Sequence, residues 1–133
     1  MAKRRSLPST RRGKTHSVII HDVQGDMTIH IRVGFYDRPR GKVGEVFIGV
    51  GKAGSTMNGF CDVLGRLISY ALQYGVPLAE LAPKLTGHQF PPAGLTSNLA
   101  IPQCSSLVDY VFTWLDLEFG NGPTAAEKTE TAA

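Results

Sequence analysis

The chain has 133 residues, of which 42% are hydrophobic and 19% charged, enough for one domain with a modest core that needs no metal or disulfide staple. Its formal charge of +3 is unevenly laid out: Lys3, Arg4, Arg5, Arg11, Arg12 and Lys14 place six positive charges before residue 15, and the remainder carries 8 basic against 11 acidic residues. No apolar run reaches the roughly 20 residues of a membrane helix, no apolar segment follows the N-terminal charges as in a secretory signal, and Cys61 and Cys104 fall where apolar residues are expected. These features point to a reduced, cytoplasmic setting and to no membrane contact.

Residues 1–15 read as a basic, disordered arm seeking phosphates or acidic surfaces, because nothing there can anchor to a core. From Ser17 the chain is β-like. Ser17 to His21 is a short strand, Asp22 to Asp26 a turn, and Met27 to Tyr36 alternates, with Met27, Ile29, Ile31, Val33 and Phe35 on one face and Thr28, His30, Arg32 and Tyr36 on the other. Asp37-Arg38-Pro39-Arg40-Gly41 is turn chemistry, and Val43 to Val50 forms a third strand through Val46, Ile48 and Val50. Short connections favour an antiparallel meander.

Glycine-rich Gly49 to Gly54 then leads to Ser55-Thr56, a natural N-cap. Beyond it Met57, Phe60, Cys61, Leu64, Leu67, Ile68, Ala71 and Leu72 share a helical face, opposite Asn58, Asp62, Arg66, Ser69 and Gln73. Gly75 stops this helix, Pro77 starts a second that Pro83 keeps short, residues 91–102 read as a loop, and a last helix capped near Ser105 or Ser106 carries Leu107, Tyr110, Val111 and Trp114 inward. The expected fold is α+β: a small antiparallel sheet of about three strands followed by two or three helices packed on one face. The domain is expected over residues 16–119, with a disordered tail from 120 to 133.

Four stretches in order, Gly44-Glu45-Val46-Phe47-Ile48, Gly51 to Met57, Leu72 to Leu78 and Val108 to Leu115, resemble the TSCPD-type domain at the C-terminal end of adenosylcobalamin-dependent ribonucleotide reductases. Arg4 to Pro8 and Arg11 to His16 resemble the linker before that domain. The Thr-Ser-Cys-Pro-Asp motif of other members corresponds here to Ser105-Ser106-Leu107-Val108-Asp109, so the motif cysteine is replaced by Leu107. The resemblance implies a place in deoxyribonucleotide synthesis beside a reductase large chain. It implies no catalytic residue here, since the radical-forming cysteine, the cobalamin site and the cysteine-pair tail belong to other parts of the long reductases. Adenosylcobalamin is the family's cofactor, ribonucleotide reduction its activity, and no cofactor is expected on this chain alone.

Two binding sites are candidates. Gly51, Lys52, Gly54, Ser55 and Thr56 pass from strand to helix start and read either as a cradle for a nucleotide phosphate or as a tight turn with a helix cap; the order of residues is not that of a P-loop. Lys3, Arg4, Arg5, Arg11, Arg12 and Lys14 are candidate polyanion contacts, and with Arg32, Arg38, Arg40 and Lys42 they keep open a nucleic-acid-binding alternative. Cys61 and Cys104 read as separate packed thiols. His16, His21, His30 and His88 show no metal-ligand spacing, and no metal site is expected.

Overall fold

The structure is a computed structural model that describes residues 3–51 and 54–120. It is an α+β fold with a curled five-stranded antiparallel sheet and three helices. Strand β1 spans Gly13–Asp22, β2 Gly25–Phe35, β3 Val43–Val50, β4 Gly94–Thr96 and β5 Gln103–Cys104; helix α1 spans Thr56–Gln73, α2 Leu78–Leu85 and α3 Leu107–Phe119. The sheet order is β3-β2-β1-β4-β5. The alternating stretches form the expected meander, with Val33 opposite Val46 and Ile31 opposite Ile48, and Ile29, Ile31, Val33, Val46, Ile48 and Val50 all face the core.

Three strands was an undercount. The segment expected as a loop from 91 to 102 contributes β4, which pairs Ile20 with Thr96, and β5, which pairs Gly94 with Cys104. Strands of three and two residues are too short for a two-residue period to register; β4 is anchored instead by the Asp22 carboxylate, which accepts from the Ala93 amide at 2.8 Å. The first strand is also longer than expected, because Gly13 to His16 continue its pairing with β2. A register shift between Gly34 and Phe35 inverts the alternation there. Tyr36, expected outside, is buried, while Phe35 is half-buried.

Helix α3 carries apolar side chains around most of its circumference and is enclosed accordingly. Tyr110, Val111, Phe112, Trp114 and Leu115 are buried. His16 on β1 stacks on Trp114 with ring centres 4.7 Å apart, and its Nε2 lies 2.7 Å from the Tyr110 hydroxyl, which also accepts from Asn98 Nδ2 at 3.0 Å. Burial holds the His16 imidazole below its ordinary pKa, so the neutral ring is the form that suits this contact.

Helix α1 does not simply lay an apolar face on the sheet. It runs along the free edge of β3 in the opposite direction, and its polar residues occupy the backbone groups that an edge strand leaves unpaired. Asn58 Oδ1 accepts from Val50 N at 3.1 Å, Ser69 Oγ accepts from Val46 N at 2.9 Å, and Gln73 Nε2 donates to Gly44 O at 2.9 Å. Six strand steps from Val50 to Gly44 cover roughly 20 Å, and fifteen helical steps from Asn58 to Gln73 cover roughly 22 Å, so the two periods stay in register over the whole contact. The expected helical face is therefore rotated. Asn58, Ser69 and Gln73 point inward, Cys61, Ile68 and Leu72 remain in the core, and Phe60 and Leu67, expected inside, are 73% and 63% exposed.

Gly65 sits where helix and strand touch: a Cβ there would lie 2.9 Å from Val46 O and 3.5 Å from Phe47 Cα. Gly59, one and a half turns earlier, has open space around it. Gly65→Ala is expected to lower stability by about 2 kcal/mol through overpacking against backbone, whereas Gly59→Ala is expected to raise it by up to about 1 kcal/mol through helix propensity. Urea denaturation of the two variants checks the pair, and equal effects would contradict this account of the contact.

Candidate functional site

The glycine turn ends β3 and delivers the chain to α1. Gly51 and Gly54 have φ of +50° and +84°, a region that favours glycine. Ser55 is the N-cap, its Oγ accepting from Asn58 N at 3.1 Å, and Thr56 opens the helix in an exposed position. Lys52 lies outside the described residues. Beside this turn is an open cleft of about 490 Å³ whose walls include His30, Arg32, Phe47, Gly54, Ser55 and Asp62. Its sheet side comes from the outward positions of β2 and β3, and its other side is the first turns of α1. Ser17 Oγ lies 2.7 Å from His30 Nδ1. The cleft thus joins one guanidinium, a helix start and an aromatic ring, with a carboxylate at its rim. Its size suits a small ligand and is too small to enclose a corrin macrocycle with its nucleotide arms, so these residues do not fit adenosylcobalamin.

The basic N-terminal segment is held against the body along much of its length. The expected boundary at residue 15 falls inside β1. Arg4 Nε donates to Gln73 Oε1 at 2.7 Å and its guanidinium lies 4.9 Å from the Tyr70 ring; Arg5 N donates to Gln73 O at 2.8 Å. The Arg5 guanidinium stacks 4.1 Å over Tyr36, whose hydroxyl donates to Arg5 O at 2.6 Å. Arg11 pairs with Glu45 through both Nε and Nη2, the latter at 2.9 Å, and the hydrogen bond to that carboxylate raises the guanidinium pKa. Lys14 lies 3.8 Å from Glu118. Sequence reading found these residues but not their partners, because an arginine's partner thirty or more positions away leaves no local pattern. All six candidates are exposed, and of them Lys3 and Arg12 make no side-chain hydrogen bond, ion pair or ring contact among the described residues.

Cys61 and Cys104 are buried and not disulfide-bonded, and burial pushes both thiols above their ordinary pKa, which disfavours the thiolate. Among the described residues no group of three or more His, Cys, Asp or Glu could hold a metal ion, and no helix is long and apolar enough to cross a membrane. One surface feature escaped the sequence reading. Rotation of α1 leaves Phe60, Val63, Leu67, Tyr70 and its C-cap residue Tyr74 exposed in one stripe. The polar residues at 58, 69 and 73, with glycine at 65, were the available signal for that rotation.

A fold of this kind, with its edge-covering helix and its open cleft at the strand-to-helix turn, defines a small α+β module. The TSCPD domain model matches residues 3–119, and the chain belongs to that family. It is 40% identical to a vitamin B12-dependent ribonucleotide reductase of Rhodopirellula baltica over 98% of this chain and 12% of the reductase. It is 39% identical to one of Streptantibioticus cattleyicolor over 87% of this chain and 18% of the reductase, and 34% identical to one of Bradyrhizobium diazoefficiens over 90% and 9%. The chain therefore spans less than a fifth of each of these relatives. No solved structure matches it.

Glu45 is buried and depends on Arg11 for its charge balance. Arg11→Ala is expected to lower stability by about 2 kcal/mol, since it leaves a carboxylate with little access to water and no cation. Lys14→Ala, which removes an exposed pair, is expected to change it by less than about 0.5 kcal/mol. Chemical denaturation compares them, and equal small losses would show that the arm is not anchored through Arg11.

Proposed function

We propose that this chain is an accessory, non-catalytic module of deoxyribonucleotide synthesis that docks on a vitamin B12-dependent ribonucleotide reductase through the exposed face of α1. The observation that carries this reading is the stripe Phe60, Val63, Leu67, Tyr70 and Tyr74, set at intervals of three or four residues along an 18-residue helix. The only two charges on the same helix, Asp62 and Arg66, pair with each other at 3.2 Å. An aromatic-rich surface of this length, with the Arg4 guanidinium lying over its Tyr70 ring, has the composition of a protein interface rather than of a solvated helix face. Relatives of this domain are minor parts of much longer reductases, so a reductase body is the natural partner for a face that this domain leaves uncovered. A non-catalytic role is supported by the burial of both thiols, which disfavours their thiolate forms, and by Leu107, buried at the position of the family motif's cysteine.

Calorimetric titration of the chain into purified full-length vitamin B12-dependent ribonucleotide reductase tests the proposal. Wild type is expected to bind, and Phe60→Glu with Leu67→Glu to weaken binding at least about tenfold, the scale of roughly 1.4 kcal/mol, with the thermal midpoint maintained because both side chains are already in water. Equal binding by the double variant, or none by wild type, overturns the docking face.

A second reading places a nucleotide phosphate in the cleft beside Gly51, Gly54, Ser55 and Thr56, with Lys52 as an added charge. It is favoured by Arg32 and the α1 start lining one cleft, and by Gly59, an exposed helix-interior glycine that no internal contact requires. A helix start favours anions, and a missing Cβ leaves room for one. Titration with ribonucleoside triphosphates is expected to give heat that Arg32→Ala reduces about tenfold, one charge-assisted contact. No heat from wild type removes this reading and leaves the docking face untouched.

A further inference from the structure

The strongest unassigned charge on the molecule is at the end of the sheet where the N-terminal segment meets the turn between β2 and β3. Two shallow clefts adjoin there. One, of about 240 Å³, is lined by Arg5 and Arg38, the other, of about 300 Å³, by Arg12 and Arg40, and Tyr36 and Asp37 line both. All four arginines are exposed. They come from segments roughly thirty residues apart in sequence and are brought together by specific contacts: Tyr36 Oη donates to Arg5 O, Arg5 Nη2 donates to Arg38 O, and Phe35 N donates to Arg12 O at 3.0 Å. The turn itself is closed by Lys42 N donating to Pro39 O at 3.1 Å and Tyr36 N to Lys42 O at 2.8 Å. Against four guanidinium groups the two clefts present one carboxylate, Asp37.

We propose that these two arginine pairs bind successive phosphates of a single-stranded nucleic acid. Guanidinium forks match phosphate oxygens in geometry as well as charge. Two adjoining open clefts, each with its own pair, suit a chain of phosphates that passes across Tyr36 and Asp37 better than one compact anion, which would need the cations to converge. Backbone positions fixed on both sides leave less to order on binding. The site is separate from the α1 face and from the cleft at the glycine turn, so its success or failure does not bear on the docking proposal.

The test uses the full chain and a fluorescein-labelled single strand of about 20 nucleotides, followed by anisotropy over a range of salt concentrations. Wild type is expected to bind at about 50 mM salt and to weaken steeply as salt rises, as counterion release requires. Arg38→Ala with Arg40→Ala, both in an exposed turn, is expected to weaken binding at least about tenfold and to flatten the slope of log K against log salt by about 1.4, two cations at about 0.7 each on a single strand. Lys14→Ala is expected to bind as wild type does. Circular dichroism of the double variant confirms that the fold is kept. Absence of binding by wild type at low salt, or an unchanged dissociation constant in the double variant, overturns the site. Displacement of the strand by a nucleoside triphosphate at equal phosphate concentration would reassign the clefts to free nucleotides and overturn the nucleic-acid assignment.

Discussion

The free edge of β3 is the constraint around which this domain is arranged. An edge strand exposes a row of amides and carbonyls that invites pairing with other chains. Here a helix satisfies that row with side chains instead of a sixth strand. Asn58, Ser69 and Gln73 must stand at spacings that follow the strand's repeat, and Gly65 must be small enough to admit Val46 O. Once those four positions are committed, the rotation of α1 is fixed, and the remaining apolar residues divide between the core and solvent by geometry alone. The exposed stripe is a consequence of how the edge is sealed.

The same contact organises the N-terminal segment. Gln73 is the junction: its amide nitrogen serves Gly44, its amide oxygen takes Arg4, and its backbone carbonyl takes Arg5. A segment with hardly any large apolar side chain is thereby held by hydrogen bonds, two guanidiniums over rings and one ion pair to a buried carboxylate. Charge-assisted bonds to a group with little access to water are among the few polar contacts strong enough to order a chain. Arg4 and Arg11 are for this reason structural, Arg5 is held in place while still lining an open cleft, and the charge available to a partner shifts to Arg5, Arg12 and the turn carrying Arg38 and Arg40.

How far the sequence could be read follows from the range of the interactions involved. Ile29, Ile31 and Val33 against Val46, Ile48 and Val50 declared a two-residue period, and the β2 and β3 pairing is legible from it. Ser55-Thr56 and the pair Ser105-Ser106 declared helix starts, and of these Ser55 and Ser106 are the residues that cap. The glycine segment was legible as a strand-to-helix turn, and Gly51 and Gly54 take positive φ there, while Lys52 lies outside the described residues. Strands β4 and β5 were not legible, because at three and two residues they have no period. The rotation of α1 was misread because a polar side chain on a helix is taken as solvated unless its partner is known, and here the partners are backbone groups of another element. The bulge at Gly34 and Phe35 shifted Tyr36 inward, a change of one residue that alternation cannot anticipate.

Sealing the edge also separates the surfaces in space and in kind. Along α1 the helix's own charges cancel and Arg4 lies over Tyr70 near its end, so a partner meeting that face gains mainly from apolar burial and shape, and the contact should depend less on ionic strength than one at the arginine clefts. At the Tyr36 end of the sheet the outward groups are guanidiniums fixed by their backbones, and attraction there acts at a distance and fades with salt. The cleft at the glycine turn lies between these extremes, with one cation and one carboxylate on its walls. A domain with so few residues can present three chemically different surfaces because α1 commits only its edge-capping polar groups and Cys61, Ile68 and Leu72 to the interior, beside the inward faces of the sheet, α2 and α3. The outer face of that helix is free to vary without disturbing what holds the fold together.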